Sequence, residues 1–334
     1  MNVWKLVSPG NLERIEAENP AREEGKVRVR ITKVLVGATD NAIFNGTLKV
    51  RYPLIPGRYA VGMVADDSVP HLPKGTRLLL HSVIDAPDTG VRAKDFSEDD
   101  FLLRGRTEDG YMRDLISVTP DQFTVLPDAI HDEQALLMHH VALAKAAADK
   151  LGAVKEQHIA VVGANILGIL LCQLLIYQQV APILIDAQPE RLEFARSCGI
   201  YYTLLSDDDT LQKVANITGG RLVSGAVYIT TALRNDVNMT FPLCAQNANV
   251  VLCGFGDGIQ FDAAVPFRKQ LSCDCVSHRS DNLEAAINLA IHGAVDVSAF
   301  RFSSIKAEDT QGILDAYVGS PERRFGDIKL VSLF

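Results

Sequence analysis

Four groups of residues in this chain are of types that could do chemistry. Thr39-Asp40 sets a hydroxyl beside a carboxylate, and Arg58-Tyr59 sets a guanidinium beside a phenol. His139-His140 places two imidazoles, which titrate close to neutral pH, next to each other. The fourth group is the glycine-bounded run Gly163-Ala164-Asn165-Ile166-Leu167-Gly168, with Asp186 lying 18 residues beyond Gly168. A turn of this kind between a strand and a helix cradles a pyrophosphate on the helix N-terminus. An acid at about that spacing accepts hydrogen bonds from the adenosine ribose.

The elements that must position the fourth group are legible around it. His158 to Val162 reads as a buried strand, Ile169 to Gln179 as a helix, and Pro182 to Ile185 as the next strand, ending at Asp186. Strand, turn, helix, strand and acid in register point to a dinucleotide. A carboxylate at Asp186 would repel a 2′-phosphate, so NAD(H) is preferred over NADP(H). Asn165 stands where the fingerprint has its middle glycine, so its side chain must point away from the phosphates. The alternation continues with helices Pro189 to Cys198 and Thr210 to Ile217 and strands Tyr201 to Leu205, Gly225 to Thr230, Val250 to Gly254 and Leu271 to Val276. A further helix is expected around Val237 to Ala245, and a closing set comprises helices Leu283 to His292 and Ala307 to Val318 and strand Asp327 to Leu333. Before position 130 the pattern is β-rich: Val27 to Ile31 alternates, and Gly75 to Leu80 and Leu115 to Val118 lie between turn signals.

With 334 residues, 47% hydrophobic and 22% charged, the chain is expected to form a two-domain globular protein. A net charge of −8 argues against nucleic acid or an anionic membrane as partner. Met1 to Lys5 opens no continuous apolar segment, and six cysteines with no evident pairing suit a reducing compartment, so a cytoplasmic location is expected. All six lie at or beyond Cys172. Cys273 and Cys275 in their apolar run read as two residues on one strand face.

Two motifs carry a resemblance. Val36-Gly37-Ala38-Thr39-Asp40 and Pro53-Leu54-Ile55-Pro56-Gly57-Arg58-Tyr59-Ala60-Val61-Gly62 resemble the G-x-C-x-T-D and P-G-H-E-x-x-G signatures of zinc alcohol dehydrogenases in the medium-chain dehydrogenase/reductase family. The likeness runs from Val27 to Leu333. It implies an α/β fold class: a GroES-like β-rich catalytic domain over 1–130 and 278–334, plus a Rossmann doubly wound parallel-sheet nucleotide-binding domain over 131–277. The metal ligands, however, are replaced by Gly37, Arg58 and Met138, none a thiolate, imidazole or carboxylate. The stretch from Ser82 to Gly110 also lacks the four cysteines of the family's second zinc, so no zinc is expected at either place.

By resemblance, Thr39 would touch the substrate oxygen, or else its hydroxyl caps local backbone at a strand end. The relay histidine three positions on is Ala42. Arg58 would take the place of the lost cation, pairing with Asp40 or holding an oxygen-rich substrate. Tyr59 would donate a proton if Arg58 lowers its pKa, or pack beside it. His139, or His140, could act as a general acid; adjacent residues on a helix point about 100° apart, so the two are not expected to chelate one ion, even with His81 as a remote third ligand. The cofactor set comprises Gly163, Asn165, Ile166, Leu167, Gly168, Asp186 and Arg191, with Thr230, Gly254 and Phe255 flanking the nicotinamide. Pocket walls are expected from 84–110 and around Phe44, Leu48 and Phe267.

Three functions fit. The first is a zinc-independent NAD(H)-dependent oxidoreductase acting on a ketone, a secondary alcohol or a sugar-like polyol. The second is a reductase of activated C=C or C=N bonds, and the third a non-catalytic nucleotide-binding protein. The partner is a small-molecule substrate, with a homodimer or homotetramer as the assembly.

Overall fold

The computed structural model describes residues 1–67, 69, 71–85, 101–230, 236–254, 260–277, 282–319 and 325–333. The chain divides into two compact units, 1–136 with 300–334, and 137–299. The second unit therefore runs past 277 and includes the helix near 290 that was expected to begin the return.

The first unit opens with a hairpin, β1 (Asn2–Ser8) and β2 (Asn11–Glu16), paired across Pro9-Gly10. The long strand β3 (Val27–Val36) buries alternate residues and runs straight into the short helix α1 (Ala38–Phe44). Strands β4 (Tyr59–Val64), β5 (Arg77–Leu80), β6 (Val83–Asp85), β7 (Phe101–Leu103), β8 (Leu115–Val118) and β9 (Phe123–Val125) follow, then the single turn α2 (Asp132–Ala135).

The second unit begins with α3 (Met138–Leu151), β10 (His158–Val162), α4 (Ile166–Tyr177), β11 (Ala181–Asp186) and α5 (Pro189–Ser197). It continues through β12 (Tyr202–Leu205), α6 (Thr210–Ile217), β13 (Val223–Thr230), β14 (Cys244–Gly254), α7 (Ala264–Lys269), β15 (Ser272–Val276) and α8 (Leu283–Ile291). Between β13 and β14 the expected helix is instead two 3-10 turns, Val237–Met239 and Phe241–Leu243. Pro242 removes a backbone donor there and β14 starts early, so no α-helix has room to form. The strands align in the order β12-β11-β10-β13-β14-β15, all parallel. This is the doubly wound arrangement whose ligands sit at the carboxyl ends of the strands.

The chain then returns to the first unit as β16 (Arg301–Lys306), α9 (Thr310–Val318) and β17 (Asp327–Ser332). The helix expected from Ala307 starts three residues later, capped by Asp309, whose side chain accepts the Gly312 N–H. Strands β17, β3, β4, β5 and β9 pair antiparallel in that order, with β16 parallel to β17 at one edge and β8 also on β3. The core of this unit gathers Trp4, Ile31, Phe44, Leu78, Tyr111 and Tyr317. In the described residues no helix is long and apolar enough to cross a membrane.

Candidate functional site

In the first unit the chemistry-bearing residues come from the turn that ends β3. Asp40 is the third residue of α1, and its carboxylate reaches back to accept the Gly37 N–H at 2.9 Å. This bond satisfies a donor that the helix start would otherwise leave open. Thr39, expected at a strand end, lies instead in the first turn of the helix and is half-buried. The hydroxyl is thus carried by a segment whose geometry Asp40 fixes.

Asp40 is 4% exposed and Arg58 2% exposed. Burial pushes the Asp40 carboxyl up to about 6, against the downward pull of the Gly37 amide, the Arg58 charge and the Gly57 amide. Arg58 also lies over the face of Tyr59, with its guanidinium carbon 5.3 Å from the ring centroid. Tyr59 is itself buried. The Arg58 charge thus acts on Asp40, and the Arg58–Tyr59 contact is through the ring.

Backbone contacts set where Arg58 stands. Gly110, Tyr111 and Met112 bond back to Ile55, Gly57 and Pro56 at 2.6, 2.9 and 3.0 Å. Gly57 has φ of +93°, and a side chain on Gly110 would come within 2.3 Å of the Gly57 carbonyl oxygen. The segment before Arg58 is thus stapled to one fifty residues later.

Sequence reasoning missed Tyr317. Its ring stacks on Phe44 with centroids 5.2 Å apart and planes 13° from parallel. Phe44, expected in a pocket wall, is accordingly a core residue, and Leu48 packs against the same core. Phe267 lies on α7 and is exposed. His81 engages Thr124, its Nε2 lying 2.9 Å from the hydroxyl.

In the second unit the carboxyl ends of β10, β11, β13 and β14 gather Gly163, Asp186, Thr230 and Gly254, with Thr230 and Gly254 directly in register. The helix α4 starts at Ile166, earlier than the expected Ile169, so Ile166, Leu167 and Gly168 form its first turn. A Cβ on Gly168 would sit 1.9 Å from the Gly163 carbonyl oxygen, so only glycine lets turn and helix approach this closely. Asn165 adopts an ordinary extended backbone and caps the helix, accepting the Gly168 N–H at 3.0 Å. No unusual backbone angle is needed, and the side chain is turned into the helix end.

Asp186, expected to accept from the ribose, also has a structural task. The carboxylate is fully buried, one oxygen accepting the Ala164 N–H at 2.8 Å and the other the Gln188 N–H at 2.9 Å. Arg191 lies 3.6 Å away. Asp186 thus ties the glycine turn to β11 whether or not a ribose is bound. His139 is buried in the first turn of α3, beside the fully buried Met138. Phe255 lies outside the described residues, as does most of the 84–110 segment.

The donor set does not fit zinc. Gly37 has no side chain to offer and Arg58 is a permanent cation. Among the described residues no group of three or more His, Cys, Asp or Glu side chains is gathered closely enough to hold a metal.

No family model matches the chain. It is 24% identical over 226 residues to an uncharacterized zinc-type alcohol dehydrogenase-like protein of Haemophilus influenzae, a stretch that covers 65% of this chain and 66% of that protein, just under two thirds. Its structure resembles that of a short-chain alcohol dehydrogenase from E. coli CFT073 complexed with NADH, with a TM-score of 0.84 at 18% identity over 100% of this chain and 99% of the other. The 2R,3R-butanediol dehydrogenase of Bacillus subtilis gives the same TM-score of 0.84 at 18% identity, covering 100% of this chain and 99% of that one. At such identity the likeness is one of fold: a GroES-like β-rich unit with a Rossmann unit.

Proposed function

We infer that this chain, which resembles the zinc-type alcohol dehydrogenases and has the fold of the medium-chain dehydrogenase/reductase family, is a nicotinamide-dependent oxidoreductase that works without zinc. It moves a hydride between NAD(H) and a ketone or secondary alcohol of the polyol or sugar-like class. The observation that carries the reading is the close packing of Gly168 on the glycine turn of the second unit, and in the first unit a buried guanidinium stands where by resemblance a metal ligand would be.

The residues present fit a dinucleotide. The first-turn amides of Ile166 and Leu167 would face the pyrophosphate, and Gly168 keeps the turn close to the helix. Gly163, Asn165 and Asp186 hold that turn; by resemblance Arg191 would lie toward the ribose, and the segments at Thr230 and Gly254 toward the nicotinamide, with Phe255 outside the described residues. When bound, the nicotinamide supplies or accepts the hydride. The chain must then hold the substrate oxygen and handle its proton. Thr39 would donate to that oxygen, and Arg58 would supply the fixed positive charge that favours developing negative charge. Asp40, Tyr59 and His139 are the groups able to take up or release a proton. The preference for NAD(H) rests on the carboxylate of Asp186 alone, since one protein of this fold is complexed with NADH and another is bound to NADP.

Vicinal diols are the first substrates to try, since butanediol is the substrate named for one protein of this fold. A small-molecule substrate, a cytoplasmic location and a homodimer or homotetramer complete the reading. Among the described residues the cysteines form no disulfide, which supports a reducing compartment, and β15 is an edge strand of the six-stranded sheet, which supports assembly there. Elemental analysis of untagged protein, with calorimetric titration of NADH and NADPH, tests it. Tight NADH binding with no stoichiometric zinc is expected, while stoichiometric zinc would overturn the metal-free reading. Nicotinamide absorbance with diol, ketone, enone and imine panels then separates carbonyl chemistry from C=C or C=N reduction.

A further inference from the structure

One buried polar group near Asp40 has no task in this scheme. Tyr317 is 1% exposed, and its hydroxyl finds no hydrogen-bond partner among the described residues. Its ring stacks on Phe44, which lies four residues after Asp40 on α1. Side chains four apart on a helix share one face, so a phenol lying on Phe44 extends along the row that contains Asp40. The two are close enough that the Asp40 charge, after burial, is the second force raising the Tyr317 hydroxyl well above the ordinary tyrosine range. The phenol therefore stays protonated and keeps a proton to donate. Among the described residues the charged or titratable groups facing Asp40 are the Arg58 guanidinium, from the segment before β4, and this neutral phenol from α9.

Burying a hydroxyl with no partner costs about 1–3 kcal/mol, and native interiors satisfy such groups with an internal water. An acceptor lies nearby in Asp40, and the two are not directly bonded. A single water can link two such groups, accepting a hydrogen bond from the phenol and donating one to the carboxylate.

We propose that Tyr317 is a further positioning residue of the Asp40–Arg58 site, its hydroxyl donating to one buried water that in turn donates to the Asp40 carboxylate. Helix α9 thereby holds the turn Gly37–Asp40 that carries Thr39. The role in catalysis rests on the oxidoreductase reading, but the linkage itself does not.

Y317F removes the hydroxyl and keeps the ring on Phe44. In protein labelled at aspartate carboxyl carbons, the Asp40 resonance titrates with a midpoint that Y317F should raise by about half a unit or more, because a donor to the ionised form is lost. The acid limb of kcat/KM should move with it. An unmoved midpoint in folded Y317F would overturn the proposal. Should Y317F not fold, the wild-type protein decides: a slowly exchanging Tyr317 hydroxyl proton with a cross-peak to bound water supports the linkage, and a hydroxyl bonded to a backbone carbonyl overturns it. None of these resonances needs turnover, so a protein without dehydrogenase activity would sink the functional reading and leave this linkage to stand or fall alone.

Discussion

The Asp186 carboxylate accepts the Ala164 N–H at 2.8 Å, joining the end of one strand to the turn that follows its neighbour. The same side chain holds the Gln188 N–H at 2.9 Å, so both oxygens are committed to backbone. D186A should therefore unfold more easily by about 3 kcal/mol, since two charge-assisted bonds in a buried place are lost. Urea denaturation measures this. NADH affinity should fall as well, beyond what a lost ribose contact explains, because the turn itself loosens.

Asn165 caps α4 through the Gly168 N–H, in a turn where the dinucleotide fingerprint carries glycine. N165G should cost only a few tenths of a kcal/mol in stability, since glycine is tolerated at a helix start. It should bind NADH at least as tightly as the parent, with more room for the pyrophosphate. N165D, which adds a negative charge at the same place, should bind more weakly. Calorimetric titration of the pair gives the answer, and tighter binding by N165D would contradict the placement.

Asp40 has a folded-state pKa of about 6, raised from the ordinary 3.8 by burial. Between those values the unfolded chain gives up its proton while the folded protein keeps it. The Asp40 contribution to stability is thus present at acid pH and lost as pH rises through that window. Against D40N, which does not titrate, the wild-type protein should lose about 3 kcal/mol between the two limits. Denaturation of both proteins across the window tests the sign as well as the size.

Arg58 draws the Asp40 pKa down, so R58M should move the Asp40 titration upward from about 6. If the guanidinium also stabilises charge on the substrate oxygen, kcat/KM should fall by about 100- to 1000-fold. R58K keeps the charge but not the planar fork, and should fall between R58M and the wild type. Zinc content should be nil in all three, as measured by elemental analysis.

Much of the nucleotide unit was legible because its signals are local. A buried strand, a glycine turn and an apolar helix are written in consecutive residues, and the sheet order follows from alternation. The helix over 237–245 failed for an equally local reason, since Pro242 interrupts it. The start of α1 was hidden because the apolar run of β3 continues into Ala42, Ile43 and Phe44 with no polar break but Thr39-Asp40-Asn41. The β1–β2 hairpin had a readable signal in Pro9-Gly10. Tyr317 had none: it meets Phe44 only through the packing of α9 on α1, and no spacing along the chain encodes a contact between segments so far apart. The structural duty of Asp186 was concealed in the same way, because a carboxylate that grips backbone reads no differently from one that awaits a ribose.

The staple between the segment Ile55–Gly57 and the segment Gly110–Met112 is made of amides, carbonyls and bare glycine surface. Such contacts are indifferent to which side chains stand beside them. Position 58 can therefore exchange one reactive group for another while the path of the chain through it stays put. The frame acts as a socket, and a change of chemistry at position 58 is a change of insert, with the main-chain bonds of the socket left in place.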